Sequence, residues 1–392
     1  MSRIDFVLSN TGHHVEMMLP VVERLTAKGH DCRVLSLCEL RGFRTPCTRI
    51  SAAGATPLAL VPRVRGSSSA GSQSRSAAVR SLREMARALA WHSMLGPRFR
   101  AQWKQPVDAV ILPNDAAFPY DRIATVCRHL RQPMLLLQEG IRFPLPVSGG
   151  PDRYGLGGAA AVAAWGEASA SFFRDRGVPS ERVRVTGSPR FDLEVPGRSA
   201  APPETGLGPS SDHCLLLATN PIDDQGFCTT AEKLSLIERF LDAVEPLVVE
   251  DRVQLMVRWH GRESSVDYER LLETRSWCDR VVRANDMTLS QALATASAVV
   301  VLATTVGLEA LAARRRLGVL EIPGSGHVFD YVSEGVATPL SWSDDPTSSL
   351  RSLLSGPVDE VATAGYVERH LGPRHGPTRF VTELILEVIA GA

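Results

Sequence analysis

The sequence has no CxxC pair, no excess of either charge, no apolar stretch of bilayer length and no internal repeat. Its 7 cysteines (Cys32, Cys38, Cys47, Cys127, Cys214, Cys228, Cys278) are odd in number and scattered, which argues against a disulfide framework and a structural zinc site. They are expected to be reduced and mostly buried. With 43 basic and 43 acidic residues the net charge is zero, so nothing global points to nucleic acid or to an acidic partner. Met1–Asn10 lacks a charged n-region and a long apolar h-region, which together with the missing bilayer-length run predicts a soluble, cytoplasmic protein. No DxD-like or histidine-cluster metal motif stands out, and Asp223-Asp224 is a bare acidic pair in a loop. At 392 residues the chain is long for one domain, so two are expected.

What is present is an α/β pattern that runs twice. Apolar runs at Ile4–Ser9, Cys32–Leu37, Asp108–Leu112, Met134–Leu137, Ala160–Trp165 and Val183–Thr186 alternate with helical stretches such as Val15–Lys28, Ser81–Arg100 and Tyr120–Arg131. Strands alternating with helices predict a mainly parallel, doubly wound sheet covered on both faces. Pro196–Ser211, rich in Pro, Gly and Ser, marks a linker. The pattern then restarts at Cys214–Ala218 and ends in a helix at Pro377–Ile389. The expected division is a first domain over 1–195, a linker over 196–212, a second domain over 213–375, and a terminal helix over 376–392 returning to the first. Gly66–Ser76 reads as a Ser/Gly-rich loop.

The richest segment is Ser297–Pro323, SAVVVLATTVGLEALAARRRLGVLEIP, with the form strand, polar turn, helix, strand. Thr304 and Thr305 place hydroxyls at the start of a helix expected over Val306–Arg315. Unpaired N–H groups and the helix dipole there favour an anion such as phosphate. Glu309 would repel a phosphate and suits the paired hydroxyls of a ribose. The same residues also suit a plain N-cap and a favourable first-turn charge.

Parallel sheets bind ligands at the carboxyl ends of their strands, so the loops after strands are where chemistry is sought. The first such loop is Asn10-Thr11-Gly12-His13-His14. Gly12 lets the backbone approach a ligand, and a histidine beside a helix N-terminus is kept neutral and able to accept a proton. A solvated loop histidine fits the same pattern.

From these residues the chain resembles the GT-B glycosyltransferases. TGHHVEMMLPVVERLTAKGHDCRVL is similar to their opening βαβ unit, with His14 rather than His13 matching the family histidine, as in the lipid-intermediate GlcNAc transferase of peptidoglycan synthesis. ATTVGLEALAARRRLGVLEIP is similar to the segment that holds the donor's phosphates and ribose, with Arg316-Leu317-Gly318 in place of the usual Gly-Lys-Pro turn; Gly307 falls within it. WGEASASFFRDRGVPSERVRVTGSPRFD resembles the end of the first domain in UDP-GlcNAc 2-epimerases and in capsule or CDP-glycerol polymerases, where the strand ends in TGxPxxD, here Thr186, Gly187, Pro189 and Asp192. Arg258-Trp259-His260-Gly261 resembles the RxHP turn of the polymerases, presenting Arg258 and His260 to a diphosphate. LGPRHGPTRF is similar to the segment before their terminal helix. The implied nucleotide-sugar contacts are Gly12, Gly187, Ser188, Arg190, Asn220, Arg258, His260, Thr304, Thr305, Gly307 and Glu309.

One comparison separates two reactions. Non-hydrolysing epimerases carry a GDT turn and an EAGLR loop; the equivalents here are Asn114-Asp115-Ala116 and Gln138-Glu139-Gly140-Ile141-Arg142. Asp115 is kept, but the carboxylate two places before the glycine has become Gln138, and Glu139 stands one place later. The HRREN loop is also missing, since Leu215–Asn220 leads into Pro221-Ile222-Asp223-Asp224. Deprotonating a sugar carbon needs well-placed acid and base groups, so transfer ranks above epimerisation. The resemblance thus implies a metal-independent, cofactor-free glycosyltransferase. It would take a nucleotide-diphospho-sugar, UDP or dTDP, and pass the sugar to a small-molecule or glycan acceptor, with His14 or Glu139 as base and Asp115 beside the acceptor. A 2-epimerase and a catalytically silent sugar-nucleotide-binding protein are the alternatives. Phe143–Gly158 has the composition of a lid or acceptor loop. Arg80–Lys104, with Leu82, Met85 and Leu89 among arginines, suits either contact with an anionic membrane or an ordinary amphipathic helix, and the lack of paired aromatic anchors favours a soluble acceptor. A homodimer is a further expectation.

Overall fold

The computed structural model describes residues 1–61, 77–141, 153–195, 213–343 and 345–391. The linker expected over Pro196–Ser211, the loop Gly66–Ser76, Arg142 and most of Phe143–Gly158 lie outside the described residues. Two parallel sheets organise the rest. The first holds β1 (Arg3–Leu8), β2 (Asp31–Ser36), β3 (Thr56–Ala59), β4 (Ala109–Leu112), β5 (Met134–Leu137), β6 (Ala161–Ala164) and β7 (Val183–Val185), in the order β3-β2-β1-β4-β5-β6-β7. The second holds β8 (Cys214–Ala218), β9 (Gln254–Arg258), β10 (Val281–Arg283), β11 (Ala298–Val301), β12 (Arg316–Leu320) and β13 (Thr338–Leu340), in the order β10-β9-β8-β11-β12-β13. Both are Rossmann-like doubly wound arrangements. Their central strands are apolar throughout because helices cover both faces: β4, β5, β8 and β11 are buried at every residue.

Several boundaries depart from the sequence expectation. The expected helix Ser81–Arg100 is a helix Ala77–Ala90, a π-helical turn Trp91–Leu95 and a helix Gly96–Gln102. Trp91 is buried there and stacks on Phe99, so the extra turn residue brings an aromatic onto the core. The helix expected over Val306–Arg315 ends at Ala312, and Arg314 turns the chain in the left-handed region at φ 56°. Arg316-Leu317-Gly318 is therefore no turn; it opens β12 and pairs with β11.

The last helix, Pro377–Ala390, places Val381, Leu384 and Ile385 among Ile4, Phe6, Leu8, Val15 and Met18 beneath the first sheet. Burying each such side chain is worth about 1.5–3 kcal/mol. The TGSPRFD turn secures this return. Asp192 accepts N–H bonds from Gly376 (3.2 Å) and Thr378 (2.9 Å) and so caps the helix. Gly187 sits at φ 71°, and a Cβ there would fall 2.3 Å from the Pro373 carbonyl, so only glycine admits the crossing chain.

Candidate functional site

On the first sheet the loops after β1, β4 and β5 converge. Gly12 N–H donates to Asn10 Oδ1 (2.7 Å), a turn that sets up the helix His13–Ala27. His14 is buried, accepts a hydrogen bond from Ser9 N–H on Nδ1 (3.2 Å), and meets Glu139 Oε2 through Nε2 at 2.8 Å. Asn114 Nδ2 donates to the other oxygen, Oε1, at 2.6 Å. His13 Nε2 stands 3.9 Å from Oε2. Burial alone would raise the pKa of Glu139, but the two histidines outweigh it and hold the carboxyl well below the usual carboxylate range. Asp115 is spent differently: its oxygens accept from Gly155 N–H (2.8 Å) and Gly157 N–H (2.7 Å), fixing the loop that carries Tyr154. The Tyr154 hydroxyl in turn accepts from Glu139 N–H at 3.1 Å.

His13, His14 and Glu139 bring three metal-capable atoms within 4.8 Å of one another. The donor set fits a cation poorly. A metal on His14 Nε2 needs the ring proton on Nδ1, where it would face the Ser9 N–H. Asp223 is also occupied, since Lys233 Nζ lies 2.8 Å from it.

On the second sheet, Arg258 at the end of β9 donates from Nη1 to the carbonyls of Ala284 and Met287, both at 2.6 Å, tying down the turn after β10. His260 accepts from Arg262 N–H on Nδ1 (3.1 Å), which leaves its one proton on Nε2 as a donor. Desolvation and the neighbouring Arg262 hold His260 below the ordinary imidazole pKa. Asn220 donates to the Ala303 carbonyl (2.6 Å) and joins the loop after β8 to the Thr304-Thr305 turn. Thr304 Oγ1 accepts from Val306 N–H (3.3 Å), while Thr305 makes no side-chain cap. Tyr331 caps this helix: its hydroxyl accepts from Leu308 N–H (3.1 Å) and donates to the Thr304 carbonyl (3.3 Å). Gly307 is required by that ring, because a Cβ would come within 2.8 Å of it.

The two sheets meet at Arg190. Its Nη1 and Nη2 form a fork on Glu309, both at 3.0 Å, while Nε reaches Glu16 at 3.0 Å. Burial works against the guanidinium, and the two carboxylates keep it charged. Arg190 and Gly187 thus lie at the crossing between sheets, Ser188 is buried there, and Glu309 already holds a cation. A cavity of about 230 Å³ opens beside the β5 loop, lined by Ile141, Phe172, Phe329, Asp330 and His370.

Sequence reasoning missed the support beneath His260. Glu263 accepts from His260 N–H (2.8 Å), Thr219 Oγ1 (2.7 Å) and the Tyr268 hydroxyl (2.7 Å), with Lys233 Nζ at 3.3 Å. Lys233 is only 5% exposed. A lysine on the helix Thr230–Val249 reads as a surface residue, and no local pattern marks it as a buried counter-ion.

No protein-family model matches the sequence, and no curated protein matches it. Solved structures do. Staphylococcus aureus MnaA in a co-structure with UDP superposes at TM-score 0.65 with 14% identity, covering 100% of this chain and 98% of that one. CalG4, the calicheamicin glycosyltransferase, gives 0.62 and 15% over 100% and 98%. Neisseria meningitidis UDP-GlcNAc 2-epimerase bound to UDP-GlcNAc gives 0.59 and 12% over 98% and 100%. The chain has the GT-B fold, two Rossmann-like halves, and its neighbours include both epimerases and glycosyltransferases of that fold.

Proposed function

We propose that the protein is a glycosyltransferase that moves a sugar from a nucleotide-diphospho-sugar to a small-molecule or glycan acceptor. The observation that carries this reading is the state of Gln138. By its motif it stands where the epimerase loop has a carboxylate, and its amide is spent on Trp165 N–H (2.8 Å), Ser169 Oγ (2.8 Å) and the Gly140 carbonyl (3.0 Å). Such a residue neither gives nor takes a proton. Glu139, one place on, turns instead toward His14 and Asn114, an arrangement suited to activating an acceptor hydroxyl.

The donor is held mainly by the second half. His260 Nε2, Arg258 and the Thr304-Thr305 turn, with Asn220 bracing it and Gly307 allowing its close packing, supply donors to the leaving diphosphate. Glu309 uses one lone pair on each oxygen for Arg190, which leaves others for ribose hydroxyls. The domain division at 196–212 and a cytoplasmic location belong to the same proposal, as do the UDP or dTDP moiety and the metal-independent displacement. Among the described residues no helix is long and apolar enough to cross a membrane.

A thermal-shift screen with UDP-, dTDP-, GDP- and CDP-sugars identifies the donor, because a ligand that binds only the folded state stabilises it by mass action. Release of nucleoside diphosphate should then rise in proportion to added acceptor; release that ignores every acceptor contradicts transfer. Glu309→Ala and His260→Ala are each expected to weaken nucleoside-diphosphate binding by about 1–3 kcal/mol, the loss typical of a charged hydrogen bond. Calorimetric titration checks this, and unchanged affinity in both variants removes the assigned donor site.

A further inference from the structure

A backbone N–H can only donate, and this fixes where the proton of His14 sits. Ser9 N–H points at Nδ1, so Nδ1 presents its lone pair and the neutral ring carries its proton on Nε2. Nε2 in turn faces Glu139 Oε2 at 2.8 Å, an N–H to carboxylate bond in which His14 is the donor. With one nitrogen accepting from the backbone and the other donating to Glu139, the ring has no lone pair to offer a substrate. Glu139 does. Among the described residues, His14 and Asn114 take one lone pair on each of its oxygens, which leaves one on each. Its side chain is 29% exposed, against 2% for His14. Asn114 is itself locked, its Oδ1 accepting from the N–H groups of Ala116 and Ala117, both at 2.8 Å.

We infer that Glu139 is the group that takes the acceptor's proton, and that His14 is a positioning residue holding Glu139 by donation from Nε2. The inference rests on the transferase reading. In the step, the acceptor oxygen bonds to the anomeric carbon while the bond from that carbon to the diphosphate oxygen breaks. The diphosphate leaves with the electron pair, and the acceptor's O–H proton passes to the Glu139 carboxylate. A weakly basic carboxylate suffices, because the hydroxyl becomes strongly acidic only as its oxygen gains the bond to carbon. Around Glu139 stand His13 and His14 from the first helix, Asn114 after β4 and the Tyr154 hydroxyl. Across the cleft, His260 lies within electrostatic reach of His13.

Two measurements test this. In ¹⁵N-labelled protein without ligands, the imidazole correlations of His14, identified by their loss in His14→Gln, should report the Nε2–H tautomer; the Nδ1–H tautomer overturns the assignment. In turnover, His14→Gln keeps an amide donor for Glu139 and should stay within about 10-fold of wild type, whereas His14→Ala should lose about 10²-fold or more. The wild-type kcat/KM profile should lack an acid limb near the ordinary imidazole pKa of about 6.5. A His14→Gln variant as inactive as His14→Ala, with an acid limb at that pH, makes His14 the base and overturns the inference. A wild-type protein that transfers no sugar overturns the transferase reading itself, and does so without altering the tautomer result.

Discussion

Glu139→Gln should lower turnover by about 10²–10⁴-fold, the range for losing a general base, while donor affinity stays nearly intact. The two effects separate because the proposed donor contacts lie mainly on the second sheet, whereas Glu139 lies in the loop after β5 of the first. Glutamine keeps the shape, and its one oxygen can keep the Asn114 contact, but its NH2 then meets the Nε2–H of His14, so the hydrogen bond from His14 is lost together with the anion. Steady-state kinetics under saturating donor, with near-UV circular dichroism to confirm the fold, measure this. A variant with wild-type kcat would return Glu139 to a purely structural role.

Lys233→Ala is expected to cost about 3–5 kcal/mol of stability, the loss typical of removing one partner from a buried ion pair. Lys233 Nζ stands between Asp223 (2.8 Å) and Glu263 (3.3 Å), and Glu263 is fully buried. Without the ammonium, both carboxylates stay desolvated and lose their counter-ion. His260 should then loosen, since Glu263 holds its backbone. The pH dependence follows from the same pair. Burial alone would raise the pKa of Asp223, but Lys233 holds it below its ordinary value, so its contribution is present above the unfolded aspartate pKa of about 3.9 and fades as pH falls through the folded value. Burial alone would lower Lys233, but the two carboxylates raise it, so its contribution is present below the unfolded lysine pKa of about 10.4 and fades as pH rises beyond. Urea unfolding near neutral pH measures the effect, and a loss under about 1 kcal/mol would mean the pair adds little.

The regular part of the fold was legible because buried parallel strands announce themselves. AVIL, MLLL and AVVV are continuous apolar runs, and they form β4, β5 and β11. Two strands escaped notice, Thr56–Ala59 and Thr338–Leu340. Each contains a proline, which a reading along the chain takes as a break, and each lies at the outer edge of its sheet, where a missing N–H is tolerated. The boundary errors have equally local causes. Arg314 in a left-handed conformation ends one helix early with no glycine to signal it, and a π-helical turn interrupts another.

The candidate residues were legible one by one and opaque in their pairings. Strand-end loops pointed to His14, Thr304 and Thr305, and the resemblance to epimerase and polymerase motifs pointed to Glu139, Arg258 and His260. That His14 meets Glu139 across 125 residues of chain, and that Arg190 forks onto Glu309 across 119, are facts of the tertiary fold. The TGSPRFD turn illustrates the difference. As a motif it suggested nucleotide contacts at Gly187, Ser188 and Arg190; in the structure it crosses between the sheets, caps the last helix through Asp192 and clasps Glu309. Asp115, equally well placed by motif, holds two backbone amides.

Transfer and epimerisation treat one bond of the donor sugar in opposite ways, the C–H at carbon 2. An epimerase breaks that bond on the sugar nucleotide alone and returns a proton from solvent, whereas a transferase leaves it untouched. Incubating the protein with UDP-GlcNAc in deuterium oxide and analysing the sugar nucleotide by mass spectrometry therefore tests the central claim most directly. With Gln138 bound up in hydrogen bonds and Glu139 turned to His14, no deuterium should appear at carbon 2. Time-dependent incorporation at that carbon would contradict the transferase account and establish the protein as an epimerase.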